Sequence, residues 1–259
     1  MTNFIDDNKN WMEEEKANHK ILMESQKYQQ EIKYFYKLIN DFIGVIYVCR
    51  MYSTRDWDSS ENSLLLKHAD EFFESAISCS ILIEHGAINP VRRELRYMLE
   101  TSIKYLIVDQ GCPNLSYKDK IEYLDEHIPR SSIDCIKDIK IIGLDSLDIK
   151  DFIDNTNDVY KKLCKYVHPS KNQINEFIGR YKRGSYIGFE SEVDIKQINN
   201  LVYKVFELVI SFYITSLGFT FAKDIFIHYL DEKKNWKFHK SKYIKKISNA
   251  YDYKLERKK

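Results

Sequence analysis

Apolar residues recur every three or four positions through most of this chain, and the recurrence is interrupted at a few polar or glycine–proline breaks. Between residues 8 and 49, Ile21, Leu22, Ile32, Phe35, Tyr36, Ile39, Phe42, Ile43 and Ile46 keep this spacing with no proline and only Gly44, which predicts one long helix or two in tandem. Polar residues collect at 53–60, where Asp58 followed by Glu61 has capping-box spacing, so a further helix is expected from there to Gly86. Asn89-Pro90 reads as an N-cap and first-turn pair that opens a third helix, ending near Asp109 before Gly111 and Pro113. At about 100° per residue, Leu95, Met98, Leu99, Ile103 and Leu106 share one side of that helix. Arg93, Arg96, Glu100 and Lys104 form a charged stripe on the other.

Further along, Ser116 with Asp119 predicts a short helix ending near His127 and Pro129, followed by a helical piece over 132–142. Thr156 and Asn157 are expected to open a helix over 159–167. His168-Pro169 ends it, because a residue before proline is pushed out of the α region. Residues 169–193 hold Gly179, Gly184 and Gly188 among Arg180, Lys182 and Arg183, and read as a basic, flexible loop with room for a short hairpin. Asp194 and Gln197 restart a helix whose apolar pattern runs to about Tyr229 and marks the centre of the body. Its most apolar run, 208–222, is shorter than the roughly 20 residues that a bilayer requires, so it is expected to be a core helix and no membrane contact is anticipated. The pattern as a whole predicts an all-α antiparallel helical bundle over 60–230, an N-terminal helical extension over 1–52 and a C-terminal tail over 231–259.

Composition agrees with this. Eight Gly and four Pro in 259 residues leave little turn chemistry for a many-stranded protein, and 19 Tyr take the chain far from the composition of disordered segments. Five cysteines with no CxxC pair suggest neither a disulfide framework nor a cysteine zinc site, and they fit a reducing compartment. The first thirty residues carry Asp6, Asp7, Glu13, Glu14 and Glu15 and no apolar run after a basic start, so the expected location is the cytoplasm.

Charge changes the picture at one place. Residues 233–259 hold eleven Lys or Arg against Asp252 and Glu256, a net of +9, which leaves about −8 on the rest of a chain whose total is +1. Such asymmetry suits a polyanion. Lys237, Lys240, Lys242, Lys245 and Lys246 would meet phosphates, and Trp236 and Tyr243 would stack on unpaired bases of RNA or another nucleic acid. The alternative is a tail that docks on the protein's own acidic body.

Other chemistry is sparse. His168 sits where a helix C-terminus favours the imidazolium, a position suited either to acid–base work or to simple capping. The run Gly179 to Ser185 has glycines at phosphate-loop spacing but lacks the lysine before Ser185, and His68, Glu84 and His85 lack a third ligand at helical spacing. No metal or cofactor is therefore expected.

The helix reading Arg92-Arg93-Glu94-Leu95-Arg96-Tyr97-Met98-Leu99-Glu100, paired with a later helix ending Lys-Tyr-Val-His-Pro-Ser at Ser170, resembles the HEPN superfamily over about residues 60–218. The resemblance implies a compact, frequently dimeric helical bundle from an antiviral defence or toxin–antitoxin system. It also implies a metal-independent ribonuclease whose Arg and His lie a few residues apart on one helix. Here the positions upstream of His168 are Leu163, Lys162 and Lys161, and lysine supplies a point charge rather than the planar fork of arginine. On this reading His168 is the general base, Arg96 and Glu100 from the third helix replace the missing arginine, and Lys161, Lys162 and Arg93 hold phosphate. The competing expectations are a non-catalytic module that binds a protein partner, and a ligand sensor whose Arg-rich stripe lines an anion pocket.

Overall fold

The computed structural model describes residues 2–166, 170–182, 190–233 and 235–256, which form an antiparallel helical bundle with no strand among them. Its helices are α1 (Thr2–Glu24), α2 (Gln26–Ser53), α3 (Trp57–Asn62), α4 (Leu64–Lys67), α5 (Ala69–Glu84), α6 (Ile88–Gly111), α7 (Tyr117–His127), α8 (Ser146–Cys164), α9 (Lys171–Lys182), α10 (Glu192–Ser216), α11 (Gly218–Ile225), α12 (Lys242–Asn249) and α13 (Asp252–Glu256). A 3-10 turn covers Asp134–Asp138 and a π turn, Phe226–Leu230, continues α11.

The core is built around α10, whose residues from Val205 to Thr215 are all buried. It packs on α2, where the Phe42 and Phe206 rings stack with centroids 4.0 Å apart, and on α6 through Leu95, Met98, Leu99, Ile103 and Leu106. The expected division at residue 52 therefore does not separate two cores. Phe35, Leu38, Phe42, Val45 and Ile46 of α2 belong to the same apolar cluster as α10, because their helical period gives them one continuous face to bury. The tandem break in the N-terminal helices falls at Ser25, whose hydroxyl accepts from the Tyr28 amide at 3.3 Å. Among the described residues no helix is long and apolar enough to cross a membrane.

Several local expectations are corrected. The helix expected from Asp58 to Gly86 is broken, because Ser63 caps α4 and the Asp109 carboxylate arrives from α6. Asp109 accepts from Ser63 Oγ (2.8 Å), the Leu64 amide (2.9 Å) and the Leu65 amide (3.1 Å), and is balanced by the buried Lys120 at 3.0 Å. Helix α8 starts ten residues before Thr156, where Asp145 accepts from the amides of Leu147 and Asp148. Thr156 sits inside the helix with its hydroxyl donating to the Phe152 carbonyl at 2.7 Å, so the capping residue type was satisfied in another way. Residues 171–182 of the expected 169–193 loop form α9: Ile174, Phe177, Ile178 and Tyr181 follow a helical period that outweighs the single Gly179.

The C-terminal segment is docked on the bundle. Trp236, Phe238, Tyr243, Ile244, Ile247 and Tyr251 are all buried in the common core, with the Phe152 and Tyr243 rings 4.7 Å apart. Gly143, at φ +74°, makes the close approach possible, because a Cβ there would lie 2.7 Å from that of Ala250. Base stacking by Trp236 and Tyr243 is thereby corrected: their rings form part of the protein interior. Lys242 pairs with Asp151 and Lys246 with Asp148, so the docking alternative describes this segment. Lys237, Lys240 and Lys245 stay exposed.

Candidate functional site: a basic cleft at the end of α8

Helices α6 and α8 meet where the charged stripe of α6 crosses Tyr160. Arg96 Nη2 donates to the Tyr160 hydroxyl (3.1 Å), which donates to Glu100 Oε2 (3.0 Å), and Arg96 pairs directly with Glu100 at 3.3 Å. Lys104 closes the series at 2.6 Å from the other Glu100 oxygen. Burial, opposed by the hydrogen bond from Arg96, pushes the Tyr160 phenol up to about 12, so it stays protonated and able to donate. The pairing of these two helices is thus present. Arg96 and Glu100 are nonetheless engaged with each other and with Tyr160, while Arg93 is exposed.

One turn toward the start of α6, Arg92 is 5% exposed and engaged through both Nη atoms. Its two Nη atoms grip the Glu176 carboxylate of α9 at 2.9 and 3.1 Å, Nη1 also donates to Asn89 Oδ1 (2.7 Å), and the guanidinium lies 3.8 Å from the centre of the Tyr166 ring. Asn89, expected to cap α6, instead serves this cluster, and the helix begins at Ile88. Arg180 reaches the same Glu176 oxygen at 2.9 Å and lies 3.6 Å from the buried Glu190. A buried pair of this kind is costly to break from one side, so α9 is pinned against α6 by charge.

Beside this anchor lies a cleft of about 340 Å³ between α6, the end of α8 and the start of α10. Its wall is formed by Arg92, Val159, Lys162, Lys165, Tyr166, Gln197, Asn200, Leu201 and Lys204. Among the described residues no carboxylate belongs to this lining. Lys162, Lys165 and Lys204 are exposed, as is Lys161 next to them, and among the described residues none has an ion-pair partner. Burial raises the Tyr166 phenol, which holds it as a neutral donor, and Gln197 and Asn200 supply amides that both donate and accept. The cleft therefore offers three uncompensated cations and three neutral polar groups around an apolar strip.

Of the candidate residues, Lys162 lines the cleft and Lys161 adjoins it. His168 lies outside the described residues, as do Gly184 and Gly188. Sequence reasoning missed Lys165, Lys204, Gln197 and Asn200. Their signal was present as polar positions on the faces of α8 and α10 opposite the buried ones, but which of those faces meet is set by packing. Among the described residues, no three or more His, Cys, Asp or Glu side chains are grouped to hold a metal ion.

No protein-family model, curated protein or solved structure matches this chain.

Proposed function

We propose that this protein acts on RNA, taking the phosphodiester backbone into the cleft lined by Lys162, Lys165 and Lys204. The observation that carries the reading is a cleft of about 340 Å³ surrounded by lysines that no carboxylate among the described residues neutralises. Binding a phosphate there releases counterions from the nucleic acid at no cost in broken protein ion pairs. The Tyr166 ring and the two amides suit a base or ribose of an unpaired strand.

The HEPN resemblance extends this to cleavage. His168 follows Tyr166 by two residues and would remove the proton of a ribose 2′-hydroxyl, whose oxygen attacks the adjacent phosphorus as the 5′-oxygen leaves with a proton. The cleft lysines would stabilise the charge that grows on the phosphoryl oxygens. The protein would then work in the cytoplasm as a component of an antiviral defence or toxin system. Incubating wild type and His168→Ala with total cellular RNA in EDTA tests this directly. Cleavage lost in the variant supports it, and intact RNA in both lanes at concentrations that saturate binding rejects the catalytic part.

A second reading rests on α9. Ile174, Phe177, Ile178 and Tyr181 form an apolar stripe along it and are 43–60% exposed, which favours a protein surface, either a second copy or a partner from the same system. In this non-catalytic module the cleft still binds RNA, and His168→Ala leaves binding unchanged.

A further inference from the structure

A cavity larger than the basic cleft lies elsewhere. Counting 100° per residue, Tyr97, Thr101, Lys104 and Tyr105 fall roughly opposite Arg92 on α6, and with α7 they enclose about 580 Å³. That volume is of the size small-molecule sites have. Ile121 and Leu124 of α7, together with Ile128, form the facing apolar wall, and Glu122, Asp125, Glu126 and Arg130 form the rim.

The charges here do not cancel. Lys104 is held 2.6 Å from Glu100 and 2.8 Å from the Arg130 carbonyl, and the Arg130 guanidinium pairs with Asp125. Both cations of the lining are therefore occupied, whereas among the described residues Glu122 has no ion pair and Glu126 has only His127 at 3.8 Å. A third carboxylate stands behind the aromatic wall. Glu71 accepts from the Tyr97 hydroxyl at 2.9 Å and from the Tyr105 hydroxyl at 3.4 Å, and its other oxygen faces His68 Nδ1. A phenol that donates to a carboxylate gains electron density in its ring, so these two rings become better partners for a cation.

We propose that this cavity is a binding site for a small organic cation, an apolar body carrying one ammonium or guanidinium group. The body would lie between the tyrosine rings and Ile121, Leu124 and Ile128, with its charge directed at Glu122 and Glu126. The site is independent of the RNA reading, since its lining shares no residue with the basic cleft.

Calorimetric titration of the full chain with phenethylamine, phenethyl alcohol and hydrocinnamate tests the proposal, because the three differ chiefly in charge. The amine is expected to bind at least about tenfold more tightly than the carboxylate, with the alcohol between them. Replacing Glu122→Gln and Glu126→Gln together should weaken the amine about fivefold and leave the alcohol unchanged. Ile121 is 42% exposed, so Ile121→Arg is tolerated by the fold and should place its own cation in the cavity, abolishing amine binding without altering the melting temperature. Equal affinity for amine and carboxylate, undiminished amine binding in Ile121→Arg, or binding of none of the three would overturn it.

Discussion

Lys242 and Lys246 lie on α12 against Asp151 and Asp148 of α8, whereas Lys162, Lys165 and Lys204 surround a cleft in which no carboxylate among the described residues takes part. Both sets are exposed or partly exposed lysines beside the same helix, and by count the C-terminal segment is much the more basic. What separates them is where the negative charge of the body falls. Asp145, Asp148 and Asp151 crowd the first turns of α8, where acids suit the helix dipole, and they draw the C-terminal lysines. The last turn of α8 carries Lys161 and Lys162 instead, which suit the opposite pole and have no ion-pair partner among the described residues. Local net charge thus locates attraction but does not say whether the partner is another molecule or the protein itself.

The sharpest way to break the comparison is to cut the C-terminal segment from the core. Tyr243→Ala leaves a cavity beside Phe152 and removes the hydroxyl that donates to Asp151 at 3.2 Å, while the backbone amide that donates to Glu207 at 2.7 Å is kept, so a loss of about 3–5 kcal/mol in denaturant unfolding is expected. RNA affinity below the transition should be unchanged, and a parallel loss of affinity would return the C-terminal segment to the binding surface. Reversing the cleft, with Lys162→Glu, Lys165→Glu and Lys204→Glu together, is expected to weaken binding of single-stranded RNA about 100-fold, and to flatten the slope of log K against log salt by about 2. Fluorescence anisotropy over a salt series reads both, and an unaltered slope would remove the cleft from contention.

Glu207 sharpens the contrast through pH. Burial pushes its carboxyl above the usual range, so the folded chain holds that proton more tightly than the unfolded one. Its contribution to stability is therefore greatest below the ordinary carboxylate value, and is lost as the pH rises from there through the raised value. Melting temperatures from about pH 4 to pH 7 should show that decline in wild type and a flatter profile in Glu207→Gln. The smallest effect belongs to the paired lysines. Lys242→Ala with Lys246→Ala should leave the denaturation midpoint nearly unchanged and change RNA affinity less than about twofold, since these are surface pairs.

The helical class and the core faces of α2, α6 and α10 were legible because each carries its apolar residues at a constant period, and Leu95, Met98, Leu99, Ile103 and Leu106 are all buried as expected. The break before α4 was not, because Asp109, which takes the Leu64 and Leu65 amides beside the Ser63 cap, lies 46 residues beyond Ser63 in the chain. For the C-terminal segment the charge left both nucleic-acid binding and docking open, whereas its period decides between them. Tyr243, Ile244, Ile247 and Tyr251 repeat at three to four residues, and that pattern alone specifies a buried face. The cleft was half legible: Lys162 was named from its place before His168, but Lys204 joins it only because α10 packs beside α8.

The pairing of α2 with α10 also fixes an order of events during synthesis. Asn199 Nδ2 donates to the Glu31 carbonyl at 2.9 Å across 168 residues of chain, and Phe42 meets Phe206 at nearly the same separation. At the usual rate of translation, the apolar face of α2 waits roughly 10 to 30 seconds on the ribosome before its partner emerges. Until residue 251 follows, the groove that receives Tyr243 and Tyr251 is open as well. The nascent chain is thus a natural client for chaperones throughout that interval, and its yield in the cell should depend on their supply more than the stability of the finished bundle would suggest.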